Sequence, residues 1–498
     1  MSRLPARNYL PERLLLLAFI LAAGTVSFFH EFWRDELQAW MIVSDSHTLA
    51  GLFSHTRYEG HPSLWFLILY GLKQFAPGLM AMKVLHLAMA ALTAWLVLRY
   101  SPFTRMQRGL LIFGYFFLFE YTVIVRNYGL GLLLLTTACT LFPGRRSPRV
   151  FLFLSLAIAG MMLSNVYAFF LGAAFLVILG LEELSRKHRF DRRRLSGYAL
   201  MVAAVVLFVT DTLPPADYGY AQTWRTGFSF RQVEELFARA GYVFFPVPSP
   251  EYHFWNTVFY PKIWLQAAVG LAMLVYLVVG FPRKRLSQAF IVLFILVWLV
   301  FSYVKFPGYF RHNGHLFLAF LAMAWIEPSL PGKRWPAFRG SRHLFNFILA
   351  VQVVAAAMAC VMEIVRPFSR AQETAEWIDR NRPGSLVVVH EDTGGSAVAA
   401  FMELPPFYPR SGSYARWITW NARRLEPVVT DSTLIRTGDS LAAATGRTVV
   451  WLTTSPMELA GRSGLVLLKY LGPSIEPMES YWLYERAVPR VEGSYTDR

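Results

Sequence analysis

Arg34, Asp35 and Glu36 stand side by side in FHEFWRDELQAWMIVSD (Phe29–Asp45), directly after an apolar run. Two adjacent carboxylates just beyond a hydrophobic segment have no packing reason to be there. Carboxylates are suited to moving protons at a reacting centre. The ordinary reading is a solvated loop that caps the next helix, LQAWMIV. The same polar stretch goes on through Asp45, His47, His55, Arg57, Glu59 and His61. Later, FEYTVIVRNYG carries Glu120, Arg126, Asn127 and Tyr128, and SNVYAFF carries Asn165 and Tyr167. VKFPGYFRHNGH carries Lys305, Arg311, His312 and His315. Each of these also has an ordinary reading. Arg126 and Lys305 are cations that can snorkel at a membrane interface, and Tyr128 and Tyr167 fit an aromatic belt. His312 and His315 are three residues apart, as metal ligands can be, but a hydrogen-bonded histidine has the same signature. His86 and His343 read as structural or loop residues.

The elements that must position these groups follow from composition. The chain has 498 residues, 55% hydrophobic and 16% charged, with 41 Phe, 23 Tyr and 15 Trp. Soluble domains carry about a quarter of charged residues. Long apolar runs broken by short basic clusters mark a polytopic α-helical membrane protein. Eleven spans are expected, near 14–30, 79–99, 108–124, 128–143, 150–164, 166–183, 197–213, 263–281, 287–304, 312–327 and 344–365. The basic clusters are Arg99/Arg105/Arg108, Arg145/Arg146/Arg149, Arg186 to Arg194, Arg283/Lys284/Arg285 and Lys333/Arg334/Arg339/Arg342. They fall after every second span, so the positive-inside rule assigns them to the cytoplasm. That accounts for the formal charge of +16 without a nucleic-acid partner.

HPSLWFLILYGLKQF (His61–Phe75) is apolar but short. Counting it as a span would put every later basic cluster on the wrong side. It reads as a re-entrant or interfacial helix on the outer face. The basic N-terminus, MSRLPARNYLPER, leads into a run with no small-residue cleavage site after it, so the first helix is read as uncleaved with a cytoplasmic N-terminus. An odd span count leaves the C-terminus outside. The polar stretches above then gather on the outer face and point to a polar cavity there. The two cysteines, Cys139 and Cys360, lie in apolar runs, which argues against a disulfide framework or a cysteine metal site.

From about Pro367 the pattern changes. AQETAEWIDRNRPGSLVVVHED reads as an amphipathic helix, a turn at Pro383-Gly384 and a buried strand; TVVWLTT and YWLYERA read as further strands. Residues 1–366 are thus expected to form a membrane domain with a first outer loop near 31–78. Residues 367–498 are expected to form a soluble extracytoplasmic α/β domain. No Gly-rich phosphate loop, long repeat or low-complexity tract is present; Gly394-Gly395 alone is a weak signal.

These stretches resemble the GT-C superfamily of membrane glycosyltransferases. FWRDELQAW resembles the family's Asp-Glu motif in the first outer loop. EGHPSLWFLILYGL resembles its His-Pro-Pro-Leu segment, with Ser63 in place of the second proline. EYTVIVRNYGL resembles its Tyr-Ser-x-x-Ala-Arg-x-Tyr turn, with Arg126 and Tyr128 in register. The general types it is similar to are protein O-mannosyltransferases and the aminoarabinose transferase of lipid A. The resemblance covers about the first 200 residues well and the later spans loosely.

It implies transfer of a sugar from a polyprenyl-phosphate carrier to an acceptor outside the cytoplasm; a single base opposite the leaving phosphate predicts inversion, and the short loops, many with more Arg than Lys, point to a bacterial inner membrane. By register Asp35 is the general base, and Glu36 positions the acceptor or helps hold a metal. Arg126, Arg311 and Lys305 supply positive charge for the leaving phosphate, with Arg34, Glu59, His61, Tyr128, Tyr167 and His312 as further binding residues. Some GT-C enzymes use a divalent metal and others none; Glu59 and His61 would offer ligands, and the residues leave the metal open. The rival readings are a transporter or flippase for a lipid-linked or anionic substrate, which would favour matching broken halves, and a membrane-anchored binding protein.

Overall fold

The computed structural model describes residues 10–185, 192–219, 224–281, 284–335, 339–425 and 428–487. The first nine residues, Arg186 to Asp191 of the third basic cluster and Arg283 lie outside the described residues. The chain divides into two compact units. The first comprises Met1–His30, Val43–Ala216 and Ala221–Val365; the second comprises Glu31–Ile42, Asp217–Tyr220 and Arg366–Arg498.

In chain order the helices up to residue 365 are α1 (Leu10–Phe29), α2 (Arg34–Asp45), α3 (Leu49–Thr56), α4 (Leu64–Phe75), α5 (Leu79–Tyr100), α6 (Arg105–Ile112), α7 (Asn127–Leu141) and α8 (Pro148–Met162). They continue with α9 (Val166–Leu184), α10 (Leu195–Thr212), α11 (Phe230–Phe244), α12 (Ile263–Val275), α13 (Arg285–Val304), α14 (Phe310–Asn313), α15 (His315–Ile326) and α16 (Ser341–Val365). Among the described residues, seven stretches are long and apolar enough to cross a bilayer: Leu10–Phe29, Leu79–Tyr100, Val166–Leu184, Arg192–Thr212, Ile263–Gly280, Arg285–Val304 and Ser341–Val365. The protein is a multi-pass membrane protein.

The other four expected spans are built from shorter pieces. α7 and α8 have 15 residues each and α15 has 12. At about 1.5 Å per residue α8 covers about 22 Å, less than the hydrocarbon core of about 30 Å, whereas α7 is continued by a 3-10 turn at Phe142–Gly144 and α15 stands between α14 and a 3-10 turn at Glu327–Ser329. The 108–124 stretch is α6, a break, and a π-helical turn at Phe116–Glu120. Non-helical backbone at membrane depth is tolerated where protein encloses it, and Phe116–Leu132 and most of α15 are buried. α4, with 12 residues, is likewise too short to cross.

The basic clusters contain more than free surface charge. Arg145 is buried and grips Glu182 through two bonds, Nε to Oε2 at 2.7 Å and Nη2 to Oε1 at 3.0 Å. Arg194 pairs with Glu183 and lies 4.0 Å over the Phe151 ring. Buried Lys284 donates to the carbonyls of Glu327 and Leu330. One cation in each of three clusters therefore ties helix ends together. His30 Nδ1 and Glu363 Oε1, 2.8 Å apart and fully buried, do the same for α1 and α16.

The second unit holds a six-stranded mixed sheet with α17 (Ala371–Asn381), α18 (Asp392–Ala399), α19 (Ala422–Leu425) and α20 (Asp431–Thr445). Its strands are β1 (Leu386–Val389), β2 (Phe407–Tyr408), β3 (Ser413–Tyr414), β4 (Val449–Thr453), β5 (Leu465–Leu471) and β6 (Tyr481–Arg486), in the order β3-β2-β1-β4-β6-β5. β1 is parallel to β2 and β4; the remaining pairs are antiparallel. The amphipathic helix, the turn and the three strands expected here are α17, the Pro383-Gly384 turn, β1, β4 and β6. β5 alternates weakly and was not legible in the sequence. Trp451, fully buried, packs on Leu434, Ile435 and Val449 and donates its indole N–H to Leu434 O at 3.1 Å. Gly438 lets α20 lie this close, since a Cβ there would come within 2.4 Å of the indole. Asp217–Tyr220 joins the unit through Gly219 N–H to Trp420 O (2.8 Å) and Ala422 N–H to Asp217 O (2.7 Å).

Candidate functional site

Asp35 and Glu36 open α2 and belong to the second unit. The first N–H groups of a helix lack intrahelical partners and carry partial positive charge. Glu36 Oε2 accepts the Trp33 N–H at 3.1 Å, and Glu36 is 0% exposed. Arg34 N–H goes to Glu479 Oε1 at 2.9 Å. Asp35 faces differently: its side chain is 25% exposed and its Oδ1 lies 3.4 Å from Arg34 Nε. The Arg34 guanidinium also reaches Met478 Sδ at 3.7 Å and packs beside the Trp33 ring. Of the two neighbouring carboxylates, one is committed to capping and the other presents an accessible face. Burial pushes the Glu479 carboxyl up to about 8, with the nearby Glu476 charge adding to the effect.

In the first unit, several expected residues come together. Arg126 is 9% exposed and its Nη2 lies 3.5 Å from His61 Nε2. Tyr128 and Tyr167, both buried, set their rings against His312 at 5.4 Å and 5.3 Å. His312 Nδ1 accepts the Tyr309 N–H at 2.9 Å, which places the ring proton on Nε2. Arg126, Arg311, His61 and His315 lie within electrostatic reach of His312. Arg311, 7% exposed, sits 5.3 Å from the Trp255 ring and 5.1 Å from the Tyr309 ring. Lys305 points elsewhere, with Nζ 5.1 Å over the Trp224 ring. Glu59 lies half-buried in the turn after α3, its N–H bonded to Thr56 O at 3.0 Å. Among the described residues, no three His, Cys, Asp or Glu side chains converge as metal ligands do.

His86, read from the sequence as structural, and Ser63, Glu120 and the unnoticed Asp211 hold these residues in place. His86 directs Nδ1 at Thr122 O (2.8 Å) and Nε2 at Arg126 O (3.0 Å), so it fixes the turn that carries Arg126. The RNYG glycine is required beside it, since a Cβ on Gly129 would stand 2.4 Å from His86 Nε2. Ser63 gives its N–H and hydroxyl to Asp211 at 2.5 Å and 2.7 Å, which anchors the His61 segment. Glu120, buried at the end of the π-helical turn, accepts from Tyr115 Oη (2.9 Å) and Trp255 Nε1 (3.1 Å). The signal for Glu120 and Asp211 was available: a carboxylate inside or at the end of an apolar run needs a partner.

The fold of this chain, with its membrane unit and its α/β unit, is shared by solved structures. In particular, the chain matches ArnT from Cupriavidus metallidurans bound to undecaprenyl phosphate, with 11% identity, a TM-score of 0.50, and coverage of 97% of this chain and 99% of that one. It matches the apo state of the same protein with 13% identity, a TM-score of 0.50, and coverage of 94% and 97%. No protein-family model and no curated protein matches the sequence.

Proposed function

We propose that the protein is an inverting glycosyltransferase that moves a sugar from a polyprenyl-phosphate carrier to an acceptor on the outer side of a bacterial inner membrane. The observation that carries this reading is the pairing of two nearly buried arginines, Arg126 and Arg311, with His61 and His312 inside a membrane unit. A guanidinium presents a planar fork of donors that matches phosphate oxygens. A phosphate on a lipid tail is an anion that reaches this depth, and the neighbour of like fold was crystallised with undecaprenyl phosphate. The topology assigned to the reading has a cytoplasmic N-terminus and an extracytoplasmic C-terminal domain.

Asp35 is assigned the base. As the acceptor oxygen attacks the anomeric carbon, its proton passes to the Asp35 carboxylate. The new C–O bond forms while the bond from the sugar to phosphate oxygen breaks, on the opposite face, so configuration inverts. The charge released on the polyprenyl phosphate is met by Arg126 and Arg311, with His61, His312, Tyr128 and Tyr167 lining the region. Glu36 supports the turn that carries Asp35. Arg34, Glu59 and Lys305 are assigned to binding on motif register and residue type. The partial exposure of Asp35 supports its role, since a base must be reachable by the acceptor.

The test is a release assay in native membrane vesicles, which supply the acceptor. A panel of undecaprenyl-phosphate-linked hexoses and pentoses is offered, and freed undecaprenyl phosphate is measured. Asp35→Asn should lower turnover about 10²–10⁴-fold while leaving the protein folded and inserted. Wild-type turnover by a well-expressed Asp35→Asn protein would reject the base assignment, and no release from any donor would reject the transferase reading.

A further inference from the structure

We propose that the C-terminal sheet domain aims the catalytic turn, with Gln38 and Glu479 as positioning residues for Asp35; this rests on the reading of Asp35 as the base. The anchors surround Asp35 without consuming it. Gln38, one turn further along α2, donates from Nε2 to Ile418 O at 2.7 Å and accepts the Ile418 N–H at Oε1, at 3.0 Å. One amide thus reads both backbone groups of a single residue 380 positions away. That two-point bond admits one side-chain orientation. Both partners are buried, which shields the pair from competing water. On the other side of Asp35, Arg34 N–H is held by fully buried Glu479. Before that, Glu31 Oε2 accepts the Phe368 N–H at 2.7 Å, and the Trp33 ring lies 6.1 Å from that of Phe368.

A helix start can be satisfied locally, and Glu36 already caps this one. Local capping leaves the direction of the helix free. The bonds to Ile418, Glu479 and Phe368 remove that freedom, and they all come from the C-terminal domain. A base must be held within a fraction of an ångström of its working place, and a misplacement of about 1 Å costs about a hundredfold in rate. The domain therefore serves the reaction by setting where the Asp35 carboxylate stands.

The test uses the full-length protein carrying Gln38→Leu, which keeps the volume and removes the amide, and Gln38→Glu, which keeps the acceptor but sets an oxygen against Ile418 O. Two readouts are needed. Hydrogen exchange at the amides of residues 34–37 should quicken in both variants. In the release assay, turnover should fall by about tenfold or more, with the KM for donor unchanged within about twofold. Gln38→Leu added to Asp35→Asn should cause no further loss, because an aiming device has nothing left to aim. Unchanged exchange, unchanged turnover, or a Gln38→Leu loss that multiplies in full with that of Asp35→Asn would each overturn the inference. If Asp35→Asn alone retains wild-type turnover, the function reading fails instead, and the exchange result still decides whether the domain anchors the turn.

Discussion

Glu479 offers a stability test that needs no substrate. Its carboxyl is fully buried and pushed from an ordinary 4.5 to about 8, mainly by loss of hydration. An acid whose folded-state pKa is raised favours the native state at low pH; that stability is complete below about 4.5 and is lost as pH climbs through about 8. At about 1.4 kcal/mol per pH unit, folding at pH 7 forgoes about 3 kcal/mol to keep the proton on this carboxyl. Glu479→Gln removes that penalty, and its amide oxygen can still accept the Arg34 N–H. Allowing for the cost of burying the amide, the variant should gain about 1–3 kcal/mol at pH 7. Pulse proteolysis of the detergent-solubilised full-length protein in urea reads the opening of the domain. With a denaturant slope of about 2 kcal/mol/M, the variant's midpoint should lie about 0.5–1.5 M above wild type at pH 7. The gap should close near pH 5 and widen toward pH 8. A gap independent of pH, or a variant less stable than wild type at pH 7, would refute burial as the cause of the shift.

Two further outcomes test the site and the topology. Arg126→Ala should raise the donor KM about ten- to a hundredfold, the cost of one charge-assisted hydrogen bond of about 1.5–3 kcal/mol, and Arg126→Lys should recover only part, because an ammonium lacks the guanidinium fork. Full recovery by lysine at limiting donor would reduce Arg126 to an interfacial cation. Cysteines at the exposed positions Ser196 and Arg285 should react with an impermeant reagent only from the cytoplasm, and one at exposed Ser413 only from outside. The native Cys139 and Cys360 are buried and give little background; labelling of Ser413→Cys from the cytoplasm would invert the topology.

Hydropathy belongs to a stretch of chain by itself, so the sequence alone determined the long membrane helices such as α5, α9, α13 and α16, the short continuous apolar runs of β1 and β4, and the amphipathic pattern of α17. The polar stretches around Arg34-Asp35-Glu36, His61, Arg126 and His312 were legible for the same reason, because charge in an apolar chain stands out locally. Which partner each polar group finds is not a local property. Glu36 and Asp35 are chemically alike neighbours, yet one is enclosed as a cap and the other is left reachable, and only the packing around them separates the two. Arg145 and Lys284 read as topogenic charges until chain closure brings Glu182 and the Glu327 and Leu330 carbonyls to them. Composition marked the spans near 108–124 and 312–327 but not that they are pieced together, the first from α6 and a π-helical turn and the second from α14, α15 and a 3-10 turn. The grip of Gln38 on Ile418 depends on residues 380 positions apart. No window along the chain contains both, and the tertiary fold alone brings an α/β domain's backbone to the helix that carries Asp35.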